Sequence, residues 1–245
     1  MAWGVLGGVS AVAVVPYAVQ AMPARFAVLP VPLGLLTAAQ GVQTALLVTA
    51  LAWLGLRLGH RVGLGSPLLQ AWINARPHPG WHRQRPWHAA LLGAGTAALI
   101  VLLASLLDPM LPEMAAGTRP SPLAGFLAAF YGGIAEELLL RLFLMTLLVW
   151  LLSRFGRQRP GTWRMWSAIG LAALLFGLGH LPAAATIWGL ETAVVVRTLL
   201  LNAVGGLAFG WLYWRRGLEM AMLAHVCADL VLHVLIPLIA PGAAP

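Results

Sequence analysis

The chain has no lysine, only seven acidic residues and a single cysteine, and each scarcity excludes something. One cysteine, Cys227, cannot form an intramolecular disulfide or a thiolate metal cluster. It lies in an apolar run, where a small buried side chain is the ordinary role. Charged residues make up 9% of the 245 positions, whereas about a quarter is usual in a soluble domain. With 60% of the residues hydrophobic, the composition describes a protein whose solvent is lipid.

What charge there is comes from fifteen arginines, which leave a net charge of +8. In a soluble protein that balance would suggest nucleic acid. Here no basic segment carries a binding motif, and most arginines fall in short connections between apolar stretches, where lipid headgroups are the natural partner. The expected partner is therefore the bilayer and not a nucleic acid.

Seven apolar stretches can be marked, residues 3–22, 33–56, 89–107, 122–152, 165–181, 193–214 and 218–240. Each is long enough or nearly so to cross a hydrocarbon core that takes about 20 residues per helix. Backbone in lipid must satisfy its hydrogen bonds internally, and no short alternating segments suggest a barrel, so helices are the spanning elements. The expected fold is all-α, a polytopic transmembrane bundle of about seven spans forming one membrane domain over 1–245. Residues 1–121 would be scaffold, and 122–240 carry the unusual polar positions. No basic residue precedes the first stretch, so it reads as a retained span and not a cleaved signal.

The arginines orient the bundle. Arg57, Arg61, Arg76, Arg83 and Arg85 follow the second stretch, Arg154, Arg157, Arg159 and Arg164 the fourth, and Arg215 and Arg216 the sixth. The alternate connections hold only Arg25, Arg119 and Arg197, and Arg141 falls inside the fourth stretch. By the positive-inside rule the N-terminus is cytoplasmic and the C-terminus outside, in a cell's inner, cytoplasmic membrane. Ser66 and Pro67, followed by Leu68, Leu69, Trp72 and Ile73, read as a capped helix lying along the cytoplasmic interface. Gly206 with Gly210, and Gly177 with Gly179, read as close helix-packing positions.

Ionisable groups at membrane depth cost several kcal/mol, so each calls for a partner or a function. Six stand out: Glu136, Glu137 and Arg141 on the fourth stretch, His180 on the fifth, His225 and Asp229 on the seventh. Glu137 and Arg141 are four residues apart in the favourable order and should pair. At the α-helical period Glu136 is turned about 100° from Glu137, free to face the bundle interior. His225 and Asp229 share a face by the same spacing, as do Phe176 and His180.

One account of these residues is a polar network gluing helices together. The other is chemistry: a carboxylate acting as general base on water, a histidine holding that water, and a second polar pair stabilising the oxyanion of an attacked peptide carbonyl. A serine mechanism would need a serine beside a histidine, and Ser167, thirteen residues before His180, is the sole prospect on these spans. A zinc route through His180, His225 and Glu136, with Asp229 as a further oxygen ligand, is chemically acceptable, although HExxH is absent.

These residues carry a resemblance. The sequence resembles the CAAX-protease and bacteriocin-processing family of intramembrane endopeptidases, also called CPBP or Abi, whose pattern is EExxxR, FxxxH and HxxxN or HxxxD. Here it reads Glu136-Glu137 to Arg141, Phe176 to His180 and His225 to Asp229, in order and each in an apolar stretch. The resemblance covers about 122–240 and leaves the first hundred residues untouched. It implies a catalytic set of Glu136, Glu137, Arg141, His180, His225 and Asp229, with Glu136 and His180 activating water and His225 with Asp229 as oxyanion site. Many members carry asparagine at the last position, and Asp229 can donate to an oxyanion only when protonated.

The resemblance further implies a cavity within the bilayer, open toward the cytoplasmic side, for a membrane-associated peptide or lipidated protein of prenylated or leader type. No cofactor is expected, with zinc as the alternative. Two other classes compete: a non-catalytic immunity or scaffold protein binding a peptide or partner helix, and a small transporter. The transporter lacks a repeat that would echo the motifs in the first half of the chain.

Overall fold

The computed structural model describes residues 1–77, 84–112, 119–154 and 160–239. Arg83, Arg157 and Arg159 of the expected basic connections lie outside them. Six helices are long and apolar enough to cross a membrane: α1 (Ala2–Ala21), α2 (Leu33–Val62), α4 (Pro86–Met110), α6 (Thr162–Trp188), α7 (Thr192–Arg216) and α8 (Leu218–Ile239). Between α2 and α4 runs the short α3 (Pro67–Ile73). Residues 122–153, here α5, form an unbroken helix that carries Glu136, Glu137 and Arg141 and accounts for the remaining expected stretch. The described residues are a polytopic helical membrane bundle, and they contain no strand.

Leucine- and alanine-rich sequence makes these helices, and punctuation residues end them. Gly63 closes α2 in the left-handed conformation, φ 78°, which lets its N–H and that of Leu64 reach the Gly59 carbonyl. Helix α1 carries Pro16 two residues beyond Val14, where a missing N–H interrupts the regular ladder. Helix α6 continues past the expected 181 to Trp188, with Pro182 inside it.

The interfacial helix α3 forms, but not by the cap expected of it. The Ser66 side chain accepts no N–H from the first turn of α3. Its Oγ instead donates to Glu219 Oε1 at 2.6 Å. The same oxygen accepts the N–H groups of Leu68 at 3.0 Å and Leu69 at 2.9 Å. A carboxylate from the first turn of α8 thus caps α3, where a negative charge suits the helix N-terminus. A further bond, Leu218 N–H to Gly65 O at 3.0 Å, completes the tie.

Helix α5 is central, touching α1, α2, α6 and α8, while α6 lies along α7, α1 along α2, and α4 against α7 and α8. The buried core joins Val48 and Ala52 of α2, Leu138, Leu142 and Met145 of α5, Ile169 of α6, Leu212 and Tyr213 of α7, and Ala224 of α8. Small residues bring backbones together: Gly206 faces Ala173 and Gly210 faces Ile169 across the α6–α7 contact, with Gly177 against Leu199. Gly179 does not share that role, because open space surrounds it.

Two parts of α5, Tyr131–Glu136 and Leu138–Met145, are wound in wide i→i+5 turns. Thr146 Oγ1 closes one of them on the Arg141 carbonyl at 3.1 Å and also meets the Tyr213 hydroxyl at 2.7 Å. Wide turns of this kind recur at functional sites. They also change the angular step along the helix, so the α-helical separation of Glu136 and Glu137 does not describe this segment.

Candidate active site

The expected Glu137–Arg141 pair exists and is deeply buried. Arg141 Nη2 lies 3.4 Å from Glu137 Oε1, and both residues are 0% exposed. The guanidinium also sits 5.7 Å from the Phe176 ring centroid, an approach that compensates a desolvated cation. Two motifs distant in the chain are therefore already in contact at one point.

Glu137 has a second partner. His225 Nδ1 donates to Glu137 Oε1 at 2.9 Å. With that N–H committed, the imidazole presents Nε2 to the opposite side, 3.9 Å from Glu136 Oε2 and 3.7 Å from Asp229 Oδ1. Phe209 stacks on the His225 ring at 4.7 Å between centroids, fixing its plane. The orientation of His225 comes from Glu137, and not from Asp229, as the motif spacing had allowed.

His180 is held by its own helix. Its Nδ1 donates to the Phe176 carbonyl at 2.9 Å, which turns Nε2 toward Glu136 Oε1, 4.0 Å away. The Phe176 ring stands edge-on to His180 at 4.5 Å. Glu136 is thus flanked by the Nε2 atoms of two histidines, one beyond each carboxylate oxygen, and its side chain is 19% exposed where that of Glu137 is 0%. Consecutive glutamates occupy different environments, one opening to a cavity and one sealed behind it.

That cavity has a volume of about 520 Å³ and is lined by Glu136, His180, His225 and Asp229. Gly132 shares the wall. A Cβ there would strike Asp229 Oδ2 and stand 3.0 Å from His225 Nε2, so the glycine is required by close approach. The cavity also includes residues that the motifs did not mark: Tyr17 from α1, Tyr131, Asn202 and His233. The Tyr17 hydroxyl meets His233 Nδ1 at 3.2 Å. His233 continues the four-residue spacing of His225 and Asp229 and was readable by that signal, whereas Tyr17, in the supposed scaffold, had none.

Ser167 is exposed on α6 and takes no part in the cavity lining. Among the described residues no three histidine, cysteine, aspartate or glutamate side chains are grouped closely enough to hold an ion. The cavity also runs in an unexpected direction. Its lining comes from the C-terminal ends of α1, α6 and α8 and the N-terminal parts of α5 and α7, which is the arginine-poor end of the bundle. The arginine-rich connections and the cavity therefore lie toward opposite ends of the bundle.

Fold and site together define a multi-pass membrane protein whose ionisable groups converge on a cavity at membrane depth. Residues 118–231 match the family model described as type II CAAX prenyl endopeptidase, Rce1-like. The matched segment contains all six motif residues and is similar to that family of membrane proteases. Neither a curated protein nor a solved structure matches the chain.

Proposed function

We propose that the protein is a glutamate-dependent intramembrane endopeptidase acting on a membrane-associated, prenylated or leader-type peptide. The observation that carries this reading is the Glu136 carboxylate, set between two imidazole Nε2 atoms at 4.0 and 3.9 Å in a cavity. Those separations are too long for direct hydrogen bonds and suit a single water bridging carboxylate and imidazole.

In this scheme Glu136 removes a proton from water while His180 Nε2 orients it. The oxygen attacks the peptide carbonyl carbon, and the C=O electron pair moves to the oxygen. Collapse of the tetrahedral intermediate breaks the C–N bond, and Glu136 returns its proton to the departing amine. His225 Nε2 faces the developing oxyanion. Because Nδ1–H is held by Glu137, Nε2 donates as part of an imidazolium whose charge the buried carboxylate offsets. Asp229, beside Nε2, shapes the same subsite. No metal takes part in this scheme.

Orientation follows the arginines: the end bearing Arg57, Arg61, Arg154, Arg215 and Arg216 faces the cytoplasm, and the cavity opens away from it. Farnesylated peptide and detergent-purified protein test the chemistry. Wild type cleaves, Glu136→Gln does not, and a zinc chelator leaves wild-type cleavage intact. Loss of cleavage to the chelator would replace this mechanism with a metal one. Peptide binding without cleavage by wild type would make the protein a binding module.

A further inference from the structure

Threonines in the spanning helices give a measure of helical winding. The hydroxyls of Thr37, Thr49, Thr96 and Thr186 each donate to the carbonyl four residues back, the usual reach in an α-helix. Thr146 reaches five back, to Arg141 O at 3.1 Å, because it follows the wide segment Leu138–Met145 of α5. Its single proton is then committed, so the 2.7 Å contact with Tyr213 is a bond donated by the tyrosine hydroxyl. A chain of two hydroxyls therefore runs from α7 into the backbone of α5 at Arg141, and both residues are 0% exposed.

This hold matters to Arg141. Its guanidinium faces Glu137 at 3.4 Å and the Phe176 ring centroid at 5.7 Å, yet none of its three nitrogens makes a hydrogen bond among the described residues. With the charged end held by attraction and not by directed bonds, the position of the guanidinium is set from its backbone end. Without the bond from Thr146 the segment is free to relax to i→i+4 winding, which changes the angle between Glu137 and Arg141. The effect passes on, because the Glu137 oxygen that meets Arg141 also accepts from His225 Nδ1 at 2.9 Å.

We propose that Thr146 and Tyr213 are positioning residues of the peptidase site, a step that rests on the reading above. Their hydroxyls keep the turn at Arg141 wide, the wide turn sets the guanidinium against Glu137, and Glu137 holds the ring of His225. Neither residue belongs to the three motifs or lines the cavity, so both act through Arg141 and not on the substrate.

The test uses purified wild type, Tyr213→Phe, Thr146→Val and Thr146→Ser with the farnesylated peptide. Phenylalanine and valine keep the buried volume and remove the hydroxyl, whereas serine keeps the hydroxyl and removes a methyl. Tyr213→Phe and Thr146→Val should each lower kcat roughly tenfold, the low end of the loss for a residue that orients a functional group. KM should stay close to the wild-type value, since no substrate contact is removed. The T146V/Y213F double variant should fall no further than Thr146→Val, because both changes cut one chain. Thr146→Ser should keep most of the wild-type kcat. A deficit in Thr146→Ser equal to that in Thr146→Val would assign the effect to packing and overturn the proposal, as would wild-type kcat in Tyr213→Phe. A second readout is independent of turnover: the nitrogen NMR signal of His225 Nδ1 in micelles, assigned by its loss in His225→Gln. It should shift in Tyr213→Phe and Thr146→Val and stay in place in Thr146→Ser. Such a shift with no turnover by wild type removes the peptidase reading and keeps the coupling of the hydroxyl chain to His225. A signal unmoved in Tyr213→Phe and Thr146→Val ends the proposal.

Discussion

Glu137 and His225, 88 positions apart, meet in a 2.9 Å hydrogen bond from Nδ1 to Oε1, and the same carboxylate oxygen lies 3.4 Å from Arg141. A sealed carboxylate therefore sets both the ring orientation of a cavity-facing histidine and the balance of a buried cation. Glu137→Gln keeps an acceptor for Nδ1–H but loses the charge. Activity on the farnesylated peptide should fall roughly 10- to 100-fold, the usual cost of losing a residue that orients a functional group. Retention of full turnover would show that His225 needs no charged partner.

Arg141→Ala removes the cation and leaves Glu137 uncompensated at 0% exposure. Breaking a buried pair in this way costs about 3–5 kcal/mol. The purified variant should melt well below wild type, and its activity should be impaired even at low temperature where it remains folded. An unchanged Tm together with wild-type turnover would count against the pairing.

Gly132→Ala tests the cavity wall. The added methyl meets the Asp229 carboxylate and the His225 imidazole. Cleavage should fall by at least about tenfold, through loss of near-attack geometry, while circular dichroism stays that of the wild type. Activity at the wild-type level would mean that Asp229 and His225 can withdraw without consequence.

Glu219→Ala severs three hydrogen bonds that anchor the interfacial helix, those from Ser66 Oγ and the N–H groups of Leu68 and Leu69. The expected loss is about 1–2 kcal/mol, as for removal of a helix cap. Limited proteolysis should then open the α2–α3 connection first. Catalysis should be spared, because this contact lies at the opposite end of the bundle from the cavity mouth.

Topology can be read on a Cys227→Ala background. Leu190 is 62% exposed near the cavity end, and Trp72 is 77% exposed on α3. In intact cells an impermeant maleimide should label Leu190→Cys and spare Trp72→Cys. The reverse pattern would turn the cavity to the cytoplasm and put the arginine rule, not the cavity's position, in error.

The sequence alone determined the solvent, the elements and the residues of interest. Lipid leaves an isolated span no alternative to the helix, so long apolar runs translate directly into α1, α2, α4, α6, α7 and α8, and any charge inside such a run stands out by its cost. Local spacing was equally sufficient for Glu137 with Arg141. Tertiary structure decided what each charge faces. The bond between Glu137 and His225, the capping of α3 by Glu219 and the presence of Tyr17 in the cavity join positions distant in the chain, and no short-range period encodes them. Wide turns in α5 altered the step between Glu136 and Glu137, because packing against its neighbouring helices, and not intrinsic propensity, sets the winding there. The direction of the cavity has the same origin: which end of a bundle is hollow depends on where large and small side chains from several helices meet, and that is a property of the packed bundle.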